Sequence, residues 1–322
     1  SADDDNAGGL VGYVEEDAKI TASYNTGPVS GRNRIGGLVG YVDGGANITS
    51  SNNAGSVSGE YTLIGGLAGL IDKYANITSS YNTGQVSGDD DVGGLVGYLD
   101  DDASIMYSFN AGTVAASMTD IEGRTESAGG FIGNAEGDVA IADSYNSGDI
   151  SAMLAAGGFL GYAYGVVAVS KSYNTGATTA DGIGSDAFIG LANAGASIAL
   201  DSSYALSPSR YLGQSSMKEM ELAESYVGFD FANDWGFGSC SNNDGLPMLR
   251  QLEQVGAYFI FSCGFDSAPA PAPVARLYVG PSSLSVSKSA PANGAGIAIG
   301  DNLDSIDAIF VGGLETTFEI TD

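Results

Sequence analysis

Apolar and polar positions alternate with a period near two, but only over short runs. Examples are Leu-Val-Gly-Tyr-Val (38–42), Ala-Asn-Ile-Thr (46–49) and Val-Ser-Gly (57–59), each closed by glycine, asparagine or serine. Runs of this kind, rich in β-branched and aromatic residues, predict short strands joined by tight corners. The runs also recur. A Gly-Gly-apolar triplet starts at Gly8, Gly36, Gly65, Gly93, Gly129 and Gly157, with a degenerate copy at Asp186. Successive copies lie 28 or 29 residues apart, apart from one interval of 36 between Gly93 and Gly129.

Each copy keeps a strict register. The apolar residue behind the glycines (Leu10, Leu38, Leu67, Leu95, Phe131, Phe159, Phe188) is followed ten residues later by Ile20, Ile48, Ile77, Ile105, Ile141, Val169 or Ile198, which predicts two inward positions. Five residues on stands Asn25, Asn53, Asn82, Asn110, Asn146 or Asn174, and two further a glycine (Gly27, Gly55, Gly84, Gly112, Gly148, Gly176). Asparagine bonds its own turn backbone and glycine takes positive φ at no steric cost, so this pair predicts one corner repeated in every copy.

A period of 28 is too short for the helix pairs of the common α-repeats. The fold class is therefore all-β: a parallel, right-handed β-solenoid of about seven coils, each with about three short strands. Coils stacked roughly 4.8 Å apart give a rod about 34 Å long. Stacking turns repeated residues into ladders. One is the asparagine ladder, and another is aromatic, through Tyr24, Tyr81, Phe109, Tyr145 and Tyr173, interrupted by Asn52. Such ladders staple corners together. The alternative reading of this face is a carbohydrate- or ice-binding surface.

Gly-Gly-Leu-Val-Gly-Tyr followed by Ile-Thr-x-Ser-Tyr-Asn-Thr-Gly-x-Val-Ser-Gly resembles the GLUG repeat of bacterial and archaeal surface proteins, adhesin-like proteins among them. The resemblance covers residues 8 to about 206. The segment from Met217-Lys218 through Gly228-Phe229-Asp230-Phe231 and Trp235 to Gly245-Leu246-Pro247-Met248-Leu249 is similar to the segment that often closes such arrays. The resemblance implies extracellular display and no chemistry.

Composition narrows the function classes. The chain of 322 residues carries 39 acidic and 11 basic side chains, a net charge of −28 and no histidine. Imidazole acid–base catalysis, histidine triads and histidine-based zinc sites are excluded. The charge disfavours nucleic acid and anionic membranes as partners. No run approaches the roughly 20 apolar residues of a membrane span, and the opening Ser-Ala-Asp-Asp-Asp is not a signal peptide. The expectation is the mature form of an exported protein, secreted or on the cell surface.

Four segments follow: the array over 1–206, a cap over 207–266, a Pro/Ala linker over 267–275, and a β-rich tail or strand-exchange segment over 276–322. Within the cap, Ser215 to Ala223 is compatible with a helix. Cys240 and Cys263 would close a loop of about 24 residues, worth roughly 3 kcal/mol as a disulfide, and a disulfide fits an oxidising compartment. No cap is legible before the first coil. The tail would either supply strands to a neighbouring molecule, giving head-to-tail fibres, or form a small satellite domain.

The candidate sites lie on the corners. Glu15, Asp43, Asp72, Asp100 and Glu136 recur five residues behind the inward Leu or Phe and form an acidic stripe. It is either a calcium-binding stripe or a solvated face suited to a salty medium. The long interval inserts a loop with Met118, Asp120, Glu122 and Arg124, where a binding site would sit on a regular scaffold. Asn47 and Asn76 begin glycosylation sequons and face outward. Carboxylates alone serve some polysaccharide-degrading β-helices, but the regularity of the repeat points away from an enzyme. No cofactor other than calcium is expected. The expected partner is another copy of the chain, or a surface glycan or protein ligand.

Overall fold

The computed structural model describes residues 6–117, 126–182, 184–206, 209–210, 220, 225–237 and 246–250, and the backbone of five strands beyond them. Two compact units result, Ser1–Asp230 and Phe231–Asp322.

The first unit is a β-solenoid of seven coils. Every strand pairs in parallel with its counterpart one coil away. The first six coils carry five strands each, rather than three, and the seventh carries four. In the second coil they are Ile35–Gly36, Val39–Val42, Ala46–Thr49, Asn52–Asn53 and Val57–Gly59. The chain therefore turns after only two to four residues, and the two-residue Tyr-Asn strands are too short to show any alternation. We name the resulting sheets by their characteristic residue: glycine, tyrosine, isoleucine, asparagine and serine. The first four have seven strands each and the serine sheet six.

Two cores run along the array. Leu38, Val39, Val42, Ala46 and Ile48 and their counterparts fill the larger one, between the tyrosine and isoleucine sheets. Ile35, Val57, Ile64, Val86 and Val92 fill the smaller one, between the glycine and serine sheets. The predicted inward residues from Leu38 to Phe188 and from Ile48 to Val169 are all buried. A buried Leu or Ile contributes about 1.5–3 kcal/mol, so each coil adds its own increment to the stack.

The corner glycines have a different cause from the expected one. Among the described residues only Gly228 is a glycine with positive φ. The corner glycines are required because coils approach closely: a Cβ on Gly55 would lie 2.0 Å from the carbonyl oxygen of Gly27, and one on Gly84 at 2.0 Å from that of Gly55. The left-handed corner falls five residues earlier, at Ala22, Ser50, Ser79, Tyr107, Asp143, Lys171 and Ser202, with φ between 46° and 51°. None of these is glycine, and each carries an L-residue strain of roughly 1–2 kcal/mol.

The first compact unit runs to Asp230, past the expected boundary at 206. The helix-compatible stretch lies outside the described residues except for the buried Met220, and both cysteines lie outside them. In the second unit, Trp235–Phe237 pairs antiparallel with Pro247–Leu249. Arg250 donates from its guanidinium to the carbonyls of Trp235 (2.5 Å) and Phe231 (3.2 Å). Farther on, Val274–Val279, Ser282–Lys288 and Ile297–Ala298 form an antiparallel sheet, and Ile309–Val311 pairs with Leu314–Thr316. The expected linker overlaps the first of these strands at Val274 and Ala275.

Candidate functional site

The asparagine ladder is continuous. Asn25 Nδ2 donates to Asn53 Oδ1 at 2.8 Å, Asn53 to Asn82 at 2.8 Å, Asn82 to Asn110 at 2.9 Å, Asn110 to Asn146 at 2.9 Å and Asn146 to Asn174 at 2.7 Å. Each amide also donates to the carbonyl of its own corner glycine, from Gly27 to Gly176. From Asn53 to Asn174 these side chains are fully buried. The hydrogen bonds of these buried members are spent inside the stack, so this part of the ladder is a staple and presents no amide to a ligand.

A second ladder runs beside it. The backbone N–H of Ser23 donates to Ser51 Oγ, Ser51 to Ser80, Ser80 to Ser108, Ser108 to Ser144 and Ser144 to Ser172, at 3.1–3.2 Å. Each hydroxyl in turn donates to the carbonyl two residues before it, at Thr49 for Ser51 and Thr78 for Ser80. This anchors the left-handed residue between them. The signal, a serine two places before every ladder asparagine, stands in the sequence.

The aromatic ladder stacks as its spacing implies. Ring centroids are 4.7 Å apart for Tyr81–Phe109, 4.8 Å for Phe109–Tyr145 and 5.1 Å for Tyr145–Tyr173, all within 7° of parallel. Burial pushes the Tyr81 phenol up to about 12.

The acidic stripe lies at the corner between the tyrosine and isoleucine sheets. Its members stack because each follows a paired strand end, Val14, Val42, Ile71, Leu99 and Ala135. Tyrosines of the preceding coil reach across to it. Tyr13 donates to Asp43 at 3.3 Å, Tyr41 to Asp72 at 2.7 Å, and Tyr98 to Glu136. These bonds raise the Tyr41 phenol strongly, with burial adding to the effect. Asp100 follows a coil that has Leu70 in place of tyrosine. Burial first, and then the charges of Glu136 and Asp72, hold its carboxyl above the usual range.

At one end of this corner Tyr74 lies across Gly45 and donates to Asp17 Oδ2 at 2.9 Å. The Gly45 N–H, the Tyr74 hydroxyl and Lys73 lower the Asp17 carboxyl. Among the described residues no three acidic side chains are gathered as a metal ion would need.

Charge is concentrated on this corner and on the one between the serine and glycine sheets. The flank between them is largely hydroxyl, amide and methyl in its middle coils, where Asn47, Thr49, Asn76, Thr78, Ser104 and Ala140 point outward from the isoleucine sheet, with Lys19 at one end and Asp201 at the other. The sequon residues Asn47 and Asn76 stand side by side there, with Asn76 Nδ2 donating to Asn47 Oδ1 at 3.3 Å.

Met118, Asp120, Glu122 and Arg124 of the inserted loop lie outside the described residues. The base of the loop is acidic and buried. Asp90 Oδ1 accepts from the Ser127 N–H at 3.2 Å, Asp91 Oδ1 from the Ser127 hydroxyl at 2.9 Å, and Glu126 Oε1 from the Met153 N–H at 3.0 Å.

The ends of the array differ. In the first coil Leu10 is 47% exposed, Val11 43% and Tyr13 41%, whereas Leu38 and Val39 one coil on are completely buried. In the seventh coil Asp186 stands where the register places glycine. This buried carboxylate accepts from the N–H of Phe188 (2.8 Å), the Ser209 hydroxyl (3.1 Å) and the Arg210 N–H (2.5 Å), and it pairs with the Arg210 guanidinium at 3.5 Å. Tyr226 caps the aromatic ladder edge-on, 6.1 Å from Tyr173 and 5.0 Å from Tyr204. Reading the copy at Asp186 as merely degenerate missed this clamp, whose only sequence signal is the loss of the glycine itself.

No family model, curated protein or solved structure matches the chain in these comparisons.

Proposed function

We propose that the chain is an exported, non-enzymatic structural and adhesive module of a cell surface, with the solenoid as a stiff body that assembles with further copies. The observation that carries this reading is uniformity. The same two cores and the same side-chain ladders run from coil to coil, whereas a catalytic cleft is built from unlike groups that break a repeat. The resemblance to the GLUG repeat points the same way.

Assembly is end to end in this reading. Among the described residues the strands of the first coil pair on one side only, and Leu10 and Val11 are exposed there; open edges of this kind recruit strands. At the seventh coil the clamp at Asp186 holds Ser209 and Arg210, and in this reading the donor is the strand-forming segment 274–316 of another molecule rather than a bare coil. Electron microscopy of the full chain should show filaments. Mass photometry should show oligomers for the full chain and monomers for a chain ending at Asp266; monomers in both would overturn the fibre.

A glycan-binding adhesin is the second reading, favoured by the hydroxyl- and amide-rich middle of the isoleucine-sheet flank, from Asn47 to Ala140. A glycan-array screen of the monomeric form distinguishes it. Calcium on the acidic stripe belongs to either reading, and it predicts a rise in melting temperature with calcium at low salt that a chelator reverses.

A further inference from the structure

One outward rank of the tyrosine sheet reads Tyr13, Tyr41, Leu70, Tyr98, Asn134, Tyr162 and Leu191, since these residues are register partners. Asn134 is its odd member. It stands between two tyrosines, is 6% exposed, and its Oδ1 receives no hydrogen bond. A buried carbonyl without a donor is costly. The fold does not demand an amide here, because the same rank accepts leucine at Leu70 and Leu191.

The surroundings of Asn134 combine aromatic faces with negative charge. Tyr98 crosses from the preceding coil to donate to Glu136, two residues beyond Asn134. On the following coil Tyr162 and Tyr164 set their rings 4.8 Å apart at 46°. Burial first, and then the repulsion from Glu136, raises the Asp100 carboxyl, so the two carboxylates are near enough to feel each other. Tyrosine rings of this rank already hold a cation, since the Arg34 guanidinium lies 5.4 Å from the Tyr41 ring centroid.

We propose that Asn134, Glu136, Tyr98, Tyr162 and Tyr164 form a receptor for a primary ammonium group on an unbranched alkyl stem, the lysine side chain of a partner protein. The ammonium has three donors and no acceptor. One donor goes to Asn134 Oδ1 and one to the Glu136 carboxylate, in place of the Tyr98 hydroxyl, which turns outward to water. The stem lies against the tyrosine faces, where a cation is attracted by the ring quadrupole. A metal ion is a poorer match, because it would need more oxygen ligands than one amide and one carboxylate supply. An amino sugar is poorer too, since its bulky ring sits next to the nitrogen and the carbonyl is covered. The proposal rests on Asn134 and its neighbours and does not depend on how the chain assembles.

The test is calorimetric titration of the full chain, at low ionic strength, with the peptide acetyl-Ala-Lys-Ala-amide and with the same peptide carrying norleucine. The lysine peptide should bind saturably and the norleucine peptide should not. Asn134→Leu and Glu136→Gln should each weaken binding roughly tenfold or more, with melting curves that keep their cooperative shape, whereas Tyr61→Ala on another corner should leave it unchanged. Glu136→Gln carries the test by itself if Asn134→Leu does not fold. Equal affinity for the two peptides, no binding of the lysine peptide, or undiminished binding by Asn134→Leu together with Glu136→Gln would overturn the proposal. So would binding of a glucosamine oligomer when the lysine peptide fails.

Discussion

The first and seventh described coils are built from the same repeat and differ in what their outer residues touch. At the first coil, residues that are fully buried elsewhere in the stack lie exposed, Leu10 and Val11 foremost. At the seventh, a single carboxylate replaces the repeat's glycine and ties down the segment that follows, through Ser209 and Arg210. Everywhere else the register keeps glycine, because a Cβ would meet both its own coil and the next: on Gly157 it would lie 1.9 Å from the Leu160 carbonyl oxygen of the same coil and 2.5 Å from the Gly190 nitrogen of the next. Asp186 carries a side chain at the position where the other copies keep glycine, and that side chain holds Ser209 and Arg210.

The largest way to break this contrast is Asp186→Ala. It strips a buried carboxylate from the Arg210 pairing and should cost about 3 kcal/mol in urea unfolding. The opened edge should also make the protein associate, seen as earlier elution in size-exclusion chromatography as concentration rises. Next in size is the contrast along the asparagine ladder. Asn110→Ala removes a buried amide bonded on both sides and should cost about 2 kcal/mol, while Asn25→Ala at the open end should cost about 1 kcal/mol or less. Equal costs in chemical denaturation would mean that the ladder is no more demanding inside the stack than at its edge.

A smaller effect of opposite sign is expected at the left-handed corner. Lys171→Gly relieves a φ of 46° and should raise stability by about 0.5 kcal/mol, the strain relieved less the entropy that glycine adds to the unfolded chain. A loss in the thermal melt would show that the serine bonds have already removed the strain.

The smallest effect concerns charge. The folded-state value of Asp100 is raised, so its ionised form is a burden above that value, and the burden lifts as pH falls through it. Asp17 is lowered, so its contribution is present above the ordinary carboxylate range and is lost as pH falls through its folded value. Asp100→Asn should therefore raise the melting temperature at neutral pH, by less at high salt, where only the repulsion from Glu136 and Asp72 is screened, and do nothing at low pH. Asp17→Asn should lower it at neutral pH and have little effect in acid.

Much of this architecture was legible because stacking makes period and contact the same thing. The spacing from Leu38 to Ile48 to Asn53 gives both inward positions and the ladder directly. The number of strands was not legible, since strands such as Asn52–Asn53 are shorter than one alternation. Nor was the reason for the corner glycines: Gly55 is required by the carbonyl of Gly27 one coil away, an intercoil contact that a turn propensity does not represent. The site at Asn134 was hidden for a related reason. An asparagine in a tyrosine rank looks like drift until burial shows its carbonyl without a donor, and the pairing of Tyr98 with Glu136 joins residues 38 positions apart.

The asparagine ladder has one further consequence. All five of its amide-to-amide bonds run in the same sense, with N–H toward the later coil and C=O toward the earlier one. Their dipoles add, and aligned hydrogen bonds polarise one another. The solenoid is therefore electrically directional along its length, with a partial negative pole at Asn25 and a partial positive one at Asn174. Two such bodies brought together by their first coils would oppose like poles, while a donor group presented to Asn25 would extend the line.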